Sequence, residues 1–188
     1  MGKFSFIQTR VPGIVIVEPT VFGDDRGYFM ETYHRGEFAA AGIGDEFVQD
    51  NQSMSRKGVL RGLHFQTEHT QGKLVRVIKG SVFDVGVDVR PGSPTFGQWA
   101  AAELSAENRR MLYVPQGFAH GFLVLSETAE FTYKCTDVYT PSAEGGIRYD
   151  DADIGIEWPV LDVPLCLSEK DRALPGLRGQ DFSCFAKW

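Results

Sequence analysis

The chain has 188 residues, of which 43% are hydrophobic and 23% charged, and a formal net charge of -6; this suits one domain, 1–188, with a sizeable core. An acidic balance without any basic tract excludes a nucleic-acid face. No apolar run approaches bilayer length and the amino terminus shows no charged-then-apolar pattern, so a cytoplasmic location is expected, and Cys135, Cys166 and Cys184, odd in number and far apart, are expected as reduced thiols.

In chain order, Gly13 to Val17 is a β-branched run stopped by Pro19, and the Gly-Asp-Asp-Arg-Gly stretch at 23–27 is a turn. Glu37 to Ala41 predicts a short helix limited by glycine-rich neighbours. From Lys73 to Lys79, Leu74, Arg76 and Ile78 alternate with Lys73, Val75, Val77 and Lys79. From Val82 to Val89 the alternation is cleaner, with Phe83, Val85, Val87 and Val89 opposed to Asp84, Gly86 and Asp88. Both patterns predict half-buried strands. Further strands are expected at Gln98 to Leu104, Met111 to Val114, Phe122 to Leu125 and Glu130 to Cys135, between Pro, Gly, Ser or Asn breaks. From Ser168 onward a helical turn and then irregular chain are expected, and there are no internal repeats. Many short strands at this spacing imply an all-β antiparallel sandwich or barrel with a few short helices.

The chemistry concentrates in two stretches. Gly58-Val-Leu-Arg-Gly-Leu-His-Phe-Gln66, with Lys73 and Gly80 beyond it, resembles the first sequence box of the cupin superfamily, G-x5-H-x-H-x3-4-E-x6-G. Pro115, Gly117 and His120 match the second box, P-x-G-x2-H, and the fold implied is the cupin jelly roll. A metal-binding cupin draws two histidines and a carboxylate from the first box and one histidine from the second. Here Gln66 stands at the second histidine position and, allowing a longer insertion, Lys73 at the carboxylate position. An ammonium repels a metal ion, so Lys73 reads as replacing the missing positive charge, and no metal or other cofactor is expected. Tyr133 shares a strand face with Phe131 and Cys135, which places its phenol in the barrel interior, either as a proton carrier or as a satisfied core group. Asp171 is a candidate to orient a histidine, or a surface residue opening a helix.

Longer segments carry a closer resemblance. Asp24-Asp-Arg-Gly-Tyr-Phe-Met-Glu31, Val48-Gln-Asp-Asn51, the two boxes, Gln71-Gly-Lys-Leu-Val-Arg76, Gly92-Ser-Pro-Thr-Phe-Gly97, Tyr133-Lys-Cys-Thr-Asp137, Asp153-Ile-Gly-Ile-Glu-Trp-Pro159 and Leu167-Ser-Glu-Lys-Asp171 resemble the dTDP-4-dehydrorhamnose 3,5-epimerase family. The resemblance runs in order over roughly residues 4 to 175 and leaves about 176–188 outside it. It implies epimerisation at C3 and C5 of dTDP-4-dehydro-6-deoxy-D-glucose to dTDP-4-dehydro-L-rhamnose without metal or cofactor, on the way to dTDP-L-rhamnose and cell-surface polysaccharide such as lipopolysaccharide. It further implies His64 as base oriented by Asp171, Tyr133 as proton donor and Lys73 as stabiliser of the C4 oxyanion. Arg26, Glu31, Gln49, Asn51, Arg61, Lys73, His120, Glu144 and Lys170 are implied as contacts to the nucleotide sugar, and Tyr139 as an aromatic stacked on the thymine. A homodimer that shares strands is implied as well.

Strict alternation sets Arg61 and His64 on opposite faces of one strand, so either a bulge near Gly62 re-aims one of them or Arg61 does not face the substrate. Three readings of the whole compete: the metal-independent epimerase, a metal cupin acting as oxygenase or isomerase, and a non-catalytic sugar-binding jelly roll. Gln66 and Lys73 oppose the second, and the joint presence of His64, Tyr133, Lys73 and Asp171 opposes the third. Within the first, a relative inverting only C3 or only C5 in another deoxysugar pathway stays open.

Overall fold

The computed structural model describes residues 2–188. Two antiparallel sheets face each other across a shared core. The six-stranded sheet runs β1 (Phe4–Gln8), β2 (Val15–Pro19), β10 (Met111–Val114), β7 (Lys73–Lys79), β12 (Thr128–Cys135), β5 (Gln49–Arg56). The five-stranded sheet runs β13 (Glu144–Gly146), β6 (Leu60–Gln66), β11 (Phe118–Val124), β8 (Ser81–Asp88), β9 (Trp99–Ser105). A separate hairpin, β3 (Val21–Asp24) with β4 (Gly27–Met30), stands apart from both sheets. Helix α1 (Arg35–Ala40) covers the outside of the six-stranded sheet, and α2 (Glu169–Arg172) lies against β6. This is the all-β jelly roll with a few short helices that the two boxes imply.

Three apolar clusters hold these layers. Val75, Val77 and Phe131 of one sheet meet Ala102, Leu104 and Phe122 of the other in the barrel. On the outside of the six-stranded sheet, Leu74, Met111 and Tyr113 pack under Phe38 and Ile43. On the outside of the five-stranded sheet, Leu63, Val85 and Val87 pack under Leu177, Phe182 and Phe185 of the carboxy-terminal segment. This last cluster corrects the reading of Val82–Val89 as a half-buried strand. Its valine face is covered by the chain's end, and its other face, with Asp84 and Asp88 both fully buried, looks into the barrel.

Most predicted strands lie within a residue or two of their observed bounds, and the expected helix at 37–41 is α1. The strand expected at Phe122 begins four residues earlier, because Phe118 to Val124 is buried on both faces and shows no alternation. Strands β1, β3, β4, β5 and β13 lie outside the predicted elements, although the turn at 23–27 is the tip of the β3–β4 hairpin; β5 reads Gln-Asp-Asn-Gln-Ser-Met-Ser-Arg, polar on both faces, and gives no hydrophobic period. Among the described residues no helix is long and apolar enough to cross a membrane. All three cysteines are free.

Candidate active site

The barrel encloses a cavity of about 350 Å³ between the sheets. Alternation delivers its walls: Gln49, Asn51 and Ser53 point inward from β5 at every second residue, and Tyr133 of β12 stands directly beside Asn51. Lys73 enters from β7, and His64, Gln66 and Arg61 from β6 on the opposite sheet.

Arg61 reaches the cavity because β6 is bulged. His120 pairs with His64 and Phe122 with Arg61, so three steps along β6 oppose two along β11. The extra residue turns Arg61 to the same side as His64, where its guanidinium donates to Ser55 Oγ at 3.0 and 3.2 Å. Gly62 makes the bulge possible. Its φ is +113°, and a Cβ there would lie 2.7 Å from both the Cα of Gly121 and the carbonyl oxygen of His120.

His64 and Asp171, 107 residues apart, meet at 2.6 Å between Nε2 and Oδ1. Asp171 is only 4% exposed. Ser168 at the start of α2 donates its hydroxyl to Oδ2 at 2.8 Å and accepts the Asp171 amide N–H at 3.0 Å, so the helix cap that begins α2 also fixes the carboxylate. Burial pushes this carboxyl upward, but the hydrogen bonds from His64 and Ser168 outweigh it and hold its pKa below the ordinary value. An ionised carboxylate accepts, so His64 donates its Nε2–H, and in the neutral ring this tautomer leaves the lone pair on Nδ1.

On the facing sheet, burial raises the Tyr133 phenol above its ordinary value, so it carries its proton at neutral pH. Lys73 Nζ lies 5.9 Å from the centre of the Tyr133 ring. Enclosure lowers the Lys73 pKa, while the charges of Cys135, Asp84 and Glu144 work the other way. The cavity thus sets the His64 imidazole on one sheet against the Tyr133 phenol and the Lys73 amine on the other.

Among the described residues no group of three or more His, Cys, Asp or Glu side chains is placed to hold an ion. Of the four cupin ligand positions, Gln66 spends its amide on backbone groups, at 2.6 and 3.2 Å as donor and 2.7 Å as acceptor, and Lys73 brings a cation. His120 bonds to Asp84 through Nε2 at 2.9 and 3.1 Å.

The sequence matches a family model described as dTDP-4-dehydrorhamnose 3,5-epimerase over residues 8–179. The chain belongs to that family. The dTDP-4-dehydrorhamnose 3,5-epimerase of Salmonella typhimurium is 58% identical over 90% of this chain and 93% of its own, and that of Methanothermobacter thermautotrophicus 55% over 95% and 97%. Among solved structures, the Legionella pneumophila RmlC 3,5-epimerase in complex with dTDP-4-keto-L-rhamnose superposes with a TM-score of 0.93 at 50% identity, covering 96% of each chain. The match extends past residue 175, a little further than the motifs alone carry it.

Of the residues the epimerase resemblance implied, the fold brings Gln49, Asn51, Arg61, His64, Lys73, His120, Tyr133, Tyr139 and Glu144 to one cavity. Lys170 stands at its edge, 2.5 Å from Glu144 Oε2, and the Tyr139 hydroxyl donates to the same oxygen at 2.5 Å. Arg26 and Glu31 are not at this cavity. Arg26 sits exposed in the β3–β4 turn, bound to Asp24 at 2.5 Å, and Glu31 pairs with Lys3. Asp84 was missed as a site residue. Its signal is the polar stripe Asp84, Gly86, Asp88, which a half-buried strand leaves without a stated side and the structure turns inward to His120.

Proposed function

We propose that this epimerase inverts both C3 and C5 of dTDP-4-dehydro-6-deoxy-D-glucose, giving dTDP-4-dehydro-L-rhamnose, without a metal or redox cofactor. The observation that carries it is the placement of His64 with Asp171 on one wall and Tyr133 with Lys73 on the other. A ketone at C4 acidifies the hydrogens on C3 and C5. His64 Nδ1 takes the proton; the C–H electron pair passes into the enolate, whose oxygen Lys73 stabilises. Tyr133 then donates its O–H proton to the carbon from the opposite face; the phenolate regains a proton from solvent and the His64 imidazolium gives its proton up to solvent, which resets both groups for the second centre. Each centre inverts because the two groups stand on facing walls, and no electron leaves the sugar.

Arg61, His120, Gln49, Asn51, Glu144 and Lys170 hold the nucleotide diphosphate and sugar, the cations matching phosphate charge, and Tyr139 stacks on the thymine. Arg26 and Glu31 act in a second copy's cavity. The hairpin that bears Arg26 exposes Phe22, Tyr28 and Phe29 by 53, 59 and 64%, and Glu31, which follows it, has a buried carboxylate oxygen with no hydrogen-bond partner among the described residues. A homodimer that buries this hairpin supplies both. The setting is cytoplasmic dTDP-L-rhamnose synthesis.

One observation favours a second reading. A solved 3'-monoepimerase from Streptomyces bikiniensis, ChmJ in complex with dTDP-quinovose, superposes with a TM-score of 0.84 at 34% identity. Proton NMR of dTDP-4-keto-6-deoxyglucose in deuterated water with chelator-treated enzyme separates the two. Loss of both the C3 and C5 signals is expected; loss of one alone establishes a single epimerase, and loss of neither refutes epimerisation.

A further inference from the structure

Gln66 stands where a metal cupin has its second histidine, two residues after His64 on the same strand face, yet it is 5% exposed and every polar position of its amide is used. Nε2 donates to the carbonyl of His69 at 2.6 Å and of Val138 at 3.2 Å, and Oε1 accepts the amide N–H of Thr140 at 2.7 Å. These three partners lie in two segments, the β6–β7 connection and the chain just after β12. Val138 and Thr140 flank Tyr139, so the amide grips the backbone immediately before and after that ring. A glutamate would lose both donors, a histidine offers only one, and a methionine of similar length leaves the carbonyls of His69 and Val138 and the N–H of Thr140 without this partner.

We infer that Gln66 is a positioning residue for nucleotide recognition: it fixes Tyr139 across the cavity mouth, and so sets affinity for the thymidine diphosphate half of the substrate without entering the proton transfers. The position that other cupins use for a metal here serves as a clasp on the base-binding loop. This rests on the thymine-stacking role proposed for Tyr139.

The test is a double-mutant cycle read by calorimetric titration with dTDP, with steady-state kinetics alongside. Gln66→Met is expected to weaken dTDP binding and raise KM about tenfold, with kcat within about twofold of the parent. Tyr139→Ala should weaken dTDP similarly, and the double variant should be no weaker than Tyr139→Ala alone, since the clasp then has nothing left to position. Gln71→Met, which removes only the bond from Gln71 Nε2 to the Asp137 carbonyl at 2.8 Å, serves if Gln66→Met does not fold, and should act in the same direction more weakly. Full additivity in the cycle, a fall in kcat with dTDP affinity unchanged, or Gln71→Met binding dTDP as the parent does would overturn the inference while leaving the epimerase reading intact. A parent protein that does not bind dTDP would overturn both.

Discussion

His64 and Tyr133 divide one reaction between two walls, and substitutions should separate their roles. His64→Ala is expected to reduce exchange at C3 and C5 by at least 10³-fold, on the order of a general base's contribution, with dTDP binding retained. Tyr133→Phe should leave exchange less damaged than net inversion, because removing a proton does not need the donor. The NMR time course in deuterated water reads both quantities, and equal loss of the two would defeat that division. Lys73 has a separate signature. Its enclosure lowers its pKa from the ordinary 10.5, so between the folded value and 10.5 the unfolded chain holds a proton that the folded chain has given up. Stability therefore rises with pH through that window, and below it the folded state bears the full cost of an enclosed charge. Lys73→Met should raise the melting temperature by a few degrees at pH values below that window, flatten the rise through it, and lower kcat by about 10²-fold or more; unchanged stability below the window would mean the ammonium is better solvated than its surroundings indicate.

At the level of elements, the β6 bulge decides whether Arg61 belongs to the site. Gly62→Ala would put a methyl against the β11 backbone, and we expect a loss of about 2 kcal/mol or more in denaturant unfolding, together with weakened nucleotide-sugar binding as Arg61 swings away. Binding unaffected by the substitution would show that the bulge is not what aims Arg61. Alternation along this strand already requires a bulge near Gly62 if Arg61 is to face the site, and the structure has that bulge; which alternative holds was not legible, since a register shift depends on which residue of β11 comes opposite. The same distinction holds elsewhere. Tyr133 could be placed inside the barrel from alternation along its own strand. Asp171 could not be brought to His64 from residue pattern, because they lie 107 residues apart and only the family resemblance linked them. Asp84 was missed because the usual rule, apolar in and polar out, is reversed where a strand has a polar cavity on one side and a covering segment on the other.

For the whole molecule, the proposal that Arg26 works in a second subunit's cavity gives a quantitative expectation. Arg26→Ala and His64→Ala should each be nearly inactive as homodimers. Co-refolded in equal amounts, half the dimers pair one of each, and every such dimer regains one complete site of its two, so about a quarter of parental activity should return. If Arg26 serves its own chain instead, the mixture stays as inactive as its parts.

The packing of Leu177, Phe182 and Phe185 over the outer face of β8 also matters for how the protein is made. Val85 and Val87 leave the ribosome about a hundred residues before Phe182 and Phe185, which share their cluster, on the order of 5 to 20 s at ordinary synthesis rates. During that interval an apolar strand face has no cover of its own. The nascent chain therefore carries an uncovered apolar face until Phe182 and Phe185 emerge, and co-expression of a holding chaperone is expected to raise the yield of folded protein.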